Sequence, residues 1–401
     1  MALKNNTWKL NQWYDQAVAG TQGEYTGIPE FWMWGGNEYG SFGRNETFSP
    51  GTRSRKSSPV QLPGTTWQQE FYNAPGQGWH TVQARTDGTL WAWGKGQDWG
   101  QLGQNSKVDY SSPVQVGSRT DWKLGGTIRE GSFAIRTDGT LWAWGSNSYG
   151  MHGQSDRTIR SSPVQIPGTT WNYAWGAHEG IFAIKTDGTL WAWGRGGGGE
   201  LGLNEGPGNS KSSPCQIGTA TNWVRGSSSA EYGANGAINS KGELWVWGFN
   251  QYGALAQNTT ASPDYTGISS PVQVPGTNWQ YFHSCGANGS IGKKTDGTLW
   301  VWGGQRISSG ATGDATAAGK RSSPCQIPGT NWNRISGGTG NGIATKTNGT
   351  LWIWGTNNAG RLGQNQPANA SVSSPIQIPG TDWVNVNVGG ESQTMQATKA
   401  I

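Results

Sequence analysis

The sequence predicts an all-β fold, a closed seven-bladed β-propeller of four-stranded antiparallel blades, on three observations. The motif [LF]-W-x-W-G occurs seven times, with its first tryptophan at Trp32, Trp91, Trp142, Trp191, Trp245, Trp300 and Trp352, spaced 49 to 59 residues apart. The motif S-S-P-x-Q also occurs seven times, with its proline at Pro59, Pro113, Pro163, Pro214, Pro271, Pro324 and Pro375. A further tryptophan follows each one, at Trp67, Trp122, Trp171, Trp223, Trp279, Trp332 and Trp383. Linked motifs at a fixed period mark a repeat architecture, in which each unit buries its apolar face against the next.

The unit opens with W-x-x-V/I, taken as the first strand, and passes through a Gly-rich link to an A-I-K-like second strand. T-D-G-T follows, as at Asp138-Gly139, and is a hairpin signal. Asp-Gly suits a type I′ turn, so positive φ is expected at both residues. The third strand is L-W-x-W-G. Side chains alternate across a strand, which places Leu90, Ala92 and Gly94 on one face and Trp91 and Trp93 on the other. The indoles of one sheet should therefore lie on the small-residue face of its neighbour. Each buried indole removes roughly 150–250 Å² from water, a gain that offsets the cost of ordering 66 glycines. An N-x-x-G-Q-L-G segment and a variable loop lead to S-S-P-x-Q as the fourth strand.

Closure has its own signal. Phe31-Trp32-Met33-Trp34-Gly35 lacks a preceding T-D-G hairpin, whereas Thr394–Lys399 matches the strand that precedes one. These are complementary halves of one unit. N-terminal strands completing the last blade would leave the ring without a free edge. Residues 1–27 fit no repeat and are read as an N-terminal leader or docking segment, with 28–401 as the propeller.

The combination D-G-T-L-W-x-W-G-x-N-x-x-G, seen from Asp138 to Gly150, resembles the regulator of chromosome condensation repeat family, of the kind found in bacterial and bacteriophage proteins. The resemblance runs from about residue 28 to the end of the sequence and implies a seven-bladed propeller with a shared, strand-exchanged closing blade. Family members include a chromatin-bound guanine nucleotide exchange factor and a secreted inhibitor of β-lactamases. This chain departs from the pattern. The histidine usual before the D-G turn stands only at His80. The link loops carry no long insertion of the kind through which the exchange factor engages its GTPase, and there is no basic tail.

Composition narrows the function. Charged residues are 13%, about half the usual share, and the net charge is +5. That balance does not mark a nucleic-acid binder. Three cysteines are too few for a disulfide framework; Cys215 and Cys325 sit where other repeats carry Val or Ile. MALKNNTWKLNQWYDQ has no apolar core of a signal peptide, and no apolar run reaches membrane-span length. The expected location is a virion or the cytoplasm of the producing cell. His80, His152, His178 and His283 have no metal-ligand spacing, and the repeated aspartates are explained by turns. The glycine run at 196–199 lacks the Lys-Ser/Thr of a phosphate loop. No catalytic, metal or cofactor residues are assigned, and no enzyme activity is expected.

What remains is a binding surface. The candidate partner-binding residues are Trp8, Trp13 and Tyr14 in the leader, and Trp79 and Trp175, which fall outside the repeat's own tryptophan positions in the links 72–80 and 174–180. The functional expectation is a non-enzymatic structural or adhesion protein of a virus particle, a tailed-phage component that contacts other virion proteins. Two readings stand beside it: a lectin-like module for glycans or proteins, and a regulatory propeller resembling the exchange factor.

Overall fold

The computed structural model describes residues 30–46, 55–64, 66–68, 79–206, 208–228, 233–259, 267–285, 289–304, 321–338, 340–366, 371–388 and 394–400. Blade 1 holds the strands His80–Ala84, Leu90–Gly94 and Tyr110–Gln115. Trp67, bridged to Arg85, marks the place of its innermost strand. Blade 2 holds Trp122–Ile128, Gly131–Arg136, Leu141–Gly145 and Arg160–Ile166, and blade 3 Trp171–Gly176, Gly180–Lys185, Leu190–Gly194 and Lys211–Gln216. Blade 4 comprises Trp223–Ser228, Ala234–Asn239, Leu244–Gly248 and Ile268–Gln273. Blade 5 comprises Trp279–Ser284, Gly289–Lys294, Leu299–Gly303 and Arg321–Ile327. In blade 6 the strands are Trp332–Gly338, Asn341–Lys346, Leu351–Gly355 and Val372–Ile378. Within blades 1 to 6 every pairing is antiparallel between sequence neighbours, as the repeat pattern predicts.

Blade 7 closes the ring by strand exchange. Its order is Arg55–Gln61, Glu30–Gly36, Thr394–Lys399 and Trp383–Val388, so N-terminal strands pair with C-terminal ones. Trp32 lies opposite Ala397 and Trp34 opposite Met395. Blade 2 uses the same register, with Trp142 opposite Ala134 and Trp144 opposite Ser132. The exchanged blade is thus an ordinary blade whose two halves come from distant parts of the chain.

The blades stack as the alternating pattern requires. Trp144 and Trp142 of blade 2 pack with Val82, Ala84, Leu90 and Ala92 of blade 1. Trp193 and Trp191 of blade 3 meet Ile135, Leu141 and Ala143 of blade 2 in the same way. The second tryptophan of each motif is fully buried, and its N–H needs an acceptor there. It finds one on the preceding blade: Trp144 donates to the Gln101 carbonyl at 2.9 Å, Trp193 to Met151 at 2.8 Å and Trp34 to Arg361 at 2.7 Å. Six of the interfaces therefore carry both a buried indole and a hydrogen bond that fixes its position.

The fourth strand is outermost, and its proline suits a sheet edge, where no ladder N–H is needed. A register irregularity at Ala143/Gly145 accommodates it in blade 2. The T-D-G turns differ from the expected type I′. Gly139 has φ 78°, while no turn aspartate has positive φ. The Gly139 N–H donates to Arg136 O at 3.0 Å and the Arg136 N–H to Thr140 O at 2.9 Å, the pattern of a type I turn with a glycine bulge. Asp138 gains from this geometry because its carboxylate accepts from the Thr140 N–H at 3.0 Å and hydroxyl at 2.7 Å.

Candidate functional site

Two kinds of aromatic cluster have to be separated before a site can be assigned. One runs around the outer part of the ring. In every blade the first tryptophan of L-W-x-W-G meets the tryptophan opening the innermost strand, with centroids 6.0–6.5 Å apart and planes at 71–85°. In six blades a cation from the end of the second strand lies over one or both rings: Arg85, Arg136, Lys185, Lys294, Lys346 and Lys399. Lys185 is 3.9 Å from the Trp191 centroid. The Trp191 N–H donates to the Thr189 hydroxyl at 2.8 Å, which in turn donates to Asp187 at 2.7 Å. These threonine hydrogen bonds hold the Asp87, Asp138, Asp187 and Asp296 carboxyls below the usual carboxylate range. In every blade but blade 4 the half-exposed indole is thus capped and bonded within its own blade, which makes it framework.

The sequence-predicted aromatic candidates fare differently from one another. Trp8, Trp13 and Tyr14 lie outside the described residues. Trp175 is in the innermost strand of blade 3, not in a link loop, and is 3% exposed. It stacks on Phe182 with centroids 5.4 Å apart, and its N–H donates to Ser228 Oγ at 2.8 Å. It joins blades 3 and 4 and offers no face to a ligand. Trp79 is half-buried; Tyr39 packs on it at 5.5 Å and the Lys95 ammonium at 4.4 Å. Lys95 also pairs with Asp98. Three histidines are structural by position. Burial lowers His80, His152 and His283 to about 4, so all three are neutral near pH 7. His80 Nε2 lies 2.9 Å from Ser132 Oγ, tying blade 1 to blade 2. Among the described residues no group of three or more His, Cys, Asp or Glu is placed to hold a metal ion.

The second kind of cluster is in the central channel. Innermost strands of blades 3 to 7 enclose a cavity of about 100 Å³ lined by Tyr173, Arg225, Tyr281, His283, Arg334 and Asn385. Five of these, with Leu124 of blade 2, stand two residues after the first tryptophan of their strands, and that position varies freely from blade to blade. The Tyr281 ring carries the Arg225 guanidinium at 4.5 Å and that of Arg334 at 4.9 Å. The Lys293 ammonium lies 5.6 Å from the same ring. Lys293 is 5% exposed and donates to Gln280 Oε1. Burial is the main cause lowering its pKa; the Asp296 carboxylate opposes that shift and the Arg225 charge adds to it. Tyr173 donates to the Gly226 carbonyl at 3.3 Å, bridging blades 3 and 4 at the channel wall. Among the described residues the lining includes no aspartate or glutamate.

Residues 87–123, 187–233 and 241–291 match the regulator of chromosome condensation (RCC1) repeat, and residues 130–150 match a second profile of that repeat. Over 102 residues the chain is 32% identical to the probable E3 ubiquitin-protein ligase HERC3 of Homo sapiens, covering 25% of this chain and 10% of that protein. Over 141 residues it is 27% identical to the ultraviolet-B receptor UVR8 of Arabidopsis thaliana, covering 34% of this chain and 30% of the receptor. The matched part thus spans less than a third of either relative's length. Among solved structures, human WBSCR16 superposes with a TM-score of 0.74 at 20% identity, over 93% of this chain and 99% of that one. Prp20p of Saccharomyces cerevisiae, described with its binding to Gsp1p and histones, gives 0.76 at 17% identity, over 93% of this chain and 92% of its own. Identities this low establish the shared ring.

Proposed function

We propose that this chain, a ring of regulator of chromosome condensation repeats, is a non-enzymatic scaffold that binds a protein partner at the mouth of its central channel. The observation that carries this reading is the contrast in repetition. The framework is written seven times, while the channel set Tyr173, Arg225, Tyr281, Arg334 and Asn385 is written once. Residues that vary on a fixed scaffold are where recognition is placed. Protein binding stated for Prp20p supports a protein as the partner class. The finer assignment is a structural or adhesion component of a virus particle, with residues 1–27 as a docking segment; its support is the aromatic composition of those residues (Trp8, Trp13, Tyr14).

Site-specific photo-cross-linking in the producing cell tests both levels. Val224 stands beside Arg225 on an innermost strand and is 47% exposed, and Val108 is on the outer rim and is 52% exposed. A cross-linking residue at Val224 should give one discrete adduct that Val108 does not. Equal labelling from both, or none from Val224, removes the channel reading. If the adduct partner is absent from purified particles, or a chain lacking residues 1–27 is still packaged, the virion assignment fails and the scaffold reading stands.

A further inference from the structure

The linkers that carry the chain from the outermost strand of one blade to the innermost strand of the next come in two forms. Five have a proline two residues after the glutamine of S-S-P-x-Q, as Pro167-Gly168-Thr169-Thr170 has before Trp171. Their glycine lies against the tryptophan that follows. A Cβ on Gly168 would come within 3.2 Å of the Trp171 indole nitrogen, and one on Gly380 within 3.7 Å of that of Trp383. The linkers 117–121 and 218–222 are one residue longer and open on Gly117 and Gly218 instead of proline. A Cβ on either glycine would meet nothing within 4 Å, so the chain there stands clear of its neighbours.

Beside the first of these long linkers, between blades 1 and 2, lies a groove of about 400 Å³ walled by Trp122 and Trp142 and edged by Gln104, Asn105, Arg119 and Ser162. Gln104 Nε2 donates to the Leu102 and Gln115 carbonyls at 3.3 and 3.0 Å, which leaves its Oε1 as an acceptor. Asn105 Oδ1 accepts from Ser162 Oγ at 3.3 Å, which leaves its Nδ2 as a donor. Arg119 is charged but balanced: Asp121 accepts from its Nε and Nη2 at 3.0 Å each and from Arg136 Nε at 3.0 Å. Arg136 also reaches Asp138 at 3.1 Å, so two guanidiniums share two carboxylates. Drawn to that pair, Arg136 stands 5.9 Å from the Trp142 centroid, whereas Lys185 is 3.9 Å from that of Trp191. The bond from the Trp142 N–H to Thr140 at 2.9 Å holds the indole by its edge and leaves its face to the groove. The other long linker has Ala220 and Asn222 where this one has Arg119 and Asp121.

We infer that the groove between blades 1 and 2 binds a neutral saccharide, with a sugar ring against Trp142 and its hydroxyls at the edge formed by Gln104, Asn105 and Arg119. A pyranose has a face of C–H groups, which the electron-rich face of an indole attracts, and a rim of hydroxyls that both donate and accept. An amide acceptor, an amide donor and a guanidinium side by side match such a rim. The balanced charges of the lining give an ionic ligand no compensation for the water it would lose. The volume falls within the range of small-molecule sites. This groove shares no residue with the channel lining, so the inference stands or falls independently of the protein-binding reading.

Calorimetric titration of the full chain with cellotriose, maltotriose and N-acetylchitotriose, beside anionic trigalacturonate and a proline-rich peptide, tests the site. At least one neutral trisaccharide should bind saturably at millimolar concentration, and more tightly than trigalacturonate or the peptide. Replacing residues 117–121 by Pro-Gly-Thr-Asp, the linker that stands before Trp383, should close the groove and weaken binding about tenfold or more, with an unchanged circular dichroism spectrum. Arg119→Ala, at a side chain 53% exposed, should weaken binding about threefold to tenfold and leave the urea midpoint in place, which keeps the test decisive should the relinked chain not fold. The inference is overturned if no neutral trisaccharide binds, if the anion or the peptide binds in its place, or if either folded variant binds the sugar like the wild type. Absent sugar binding together with a specific Val224 adduct would sink this inference and spare the channel as a protein-binding site.

Discussion

The outer ring and the central channel use the same chemical pair, a cation on an aromatic ring, to opposite ends. On the rim the pair recurs in six blades, and in four of them a turn aspartate (Asp87, Asp138, Asp187 or Asp296) follows the cation. In the channel it occurs as a single group, two guanidiniums and an ammonium around Tyr281. A contact that a repeat protein copies into blade after blade contributes to every neighbour interface and so to stability. A contact made once contributes to one place. The difference separates tryptophans that build every blade interface from side chains that belong to one place in the ring.

The largest test of that comparison removes a framework indole. Trp144 is fully buried between blades 1 and 2 and bonded to Gln101 O at 2.9 Å. Trp144→Ala should destabilise by about 3–5 kcal/mol, through lost burial and the cavity left behind. The channel variant Arg225→Gln should move the urea midpoint far less, because Arg225 is half-buried and its contact occurs once rather than in every blade. Comparable losses from the two substitutions would erase the distinction between framework and channel.

Acid provides a second, smaller probe of the same interfaces. His80, His152 and His283 are pushed down to about 4 from the ordinary 6.5, chiefly by burial, with Lys95 adding to the effect at His80 and Arg160 at His152. In the unfolded chain these rings take up protons near pH 6.5, whereas in the ring they stay neutral until about pH 4. The unfolded state therefore binds more protons in that window, and stability is full above pH 6.5 and falls as pH drops toward 4. At pH 5, still above the range where carboxylates titrate, each histidine should cost about 2 kcal/mol. Urea midpoints between pH 7 and 5 should slope accordingly, and His80→Gln should flatten that slope. A flat profile would mean that the histidines are reached by water in the native ring.

How far the sequence reveals this molecule follows the same division. The strand exchange was legible because Phe31–Gly35 and Thr394–Lys399 are recognisable halves of one copied unit. Blade stacking was legible because L-W-x-W-G alternates at period two. The turn type was not, since type I′ and the type I turn with a bulge both place glycine at Gly139 and differ only at Asp138. Trp175 was assigned to a link because the repeat has no tryptophan there, yet its strand runs on to Gly176 and the indole fills the space between blades. The channel was missed for a geometric reason. Tyr173, Arg225, Tyr281 and Arg334 are each separated by about fifty residues and form a group only once the first strand is known to be innermost. One signal was available: Lys293 is the charged residue in a column of Ala, Ile and Thr.

The smallest expected effect is also the sharpest test of whether the rim cluster is a transferable unit. Blade 4 is the exception on the rim, with Asn239 in the place of the cation and Lys241-Gly242-Glu243 in the place of Asp-Gly-Thr. Here the Trp245 N–H is buried without an acceptor among the described residues, because Glu243 replaces the threonine that serves Trp191 and its counterparts. The Asn239 amide compensates in part: it donates to Glu243 at 2.6 Å and accepts from the Lys241 N–H at 3.0 Å. Changing Asn239→Lys alone would lose those bonds before the new contact was complete. The combination Asn239→Lys, Lys241→Asp and Glu243→Thr supplies the cation over Trp245, the hydroxyl for its N–H and the carboxylate beyond it. A cation on an exposed indole and one satisfied buried donor are each worth about 0.5–1 kcal/mol, and the lost amide bonds offset part of this. The triple variant should therefore gain about 0.5–1 kcal/mol in urea unfolding, with Asn239→Lys alone neutral or destabilising. If the single change gains as much as the triple, the charge alone stabilises the rim and the hydrogen-bonded chain from indole to threonine to aspartate contributes nothing.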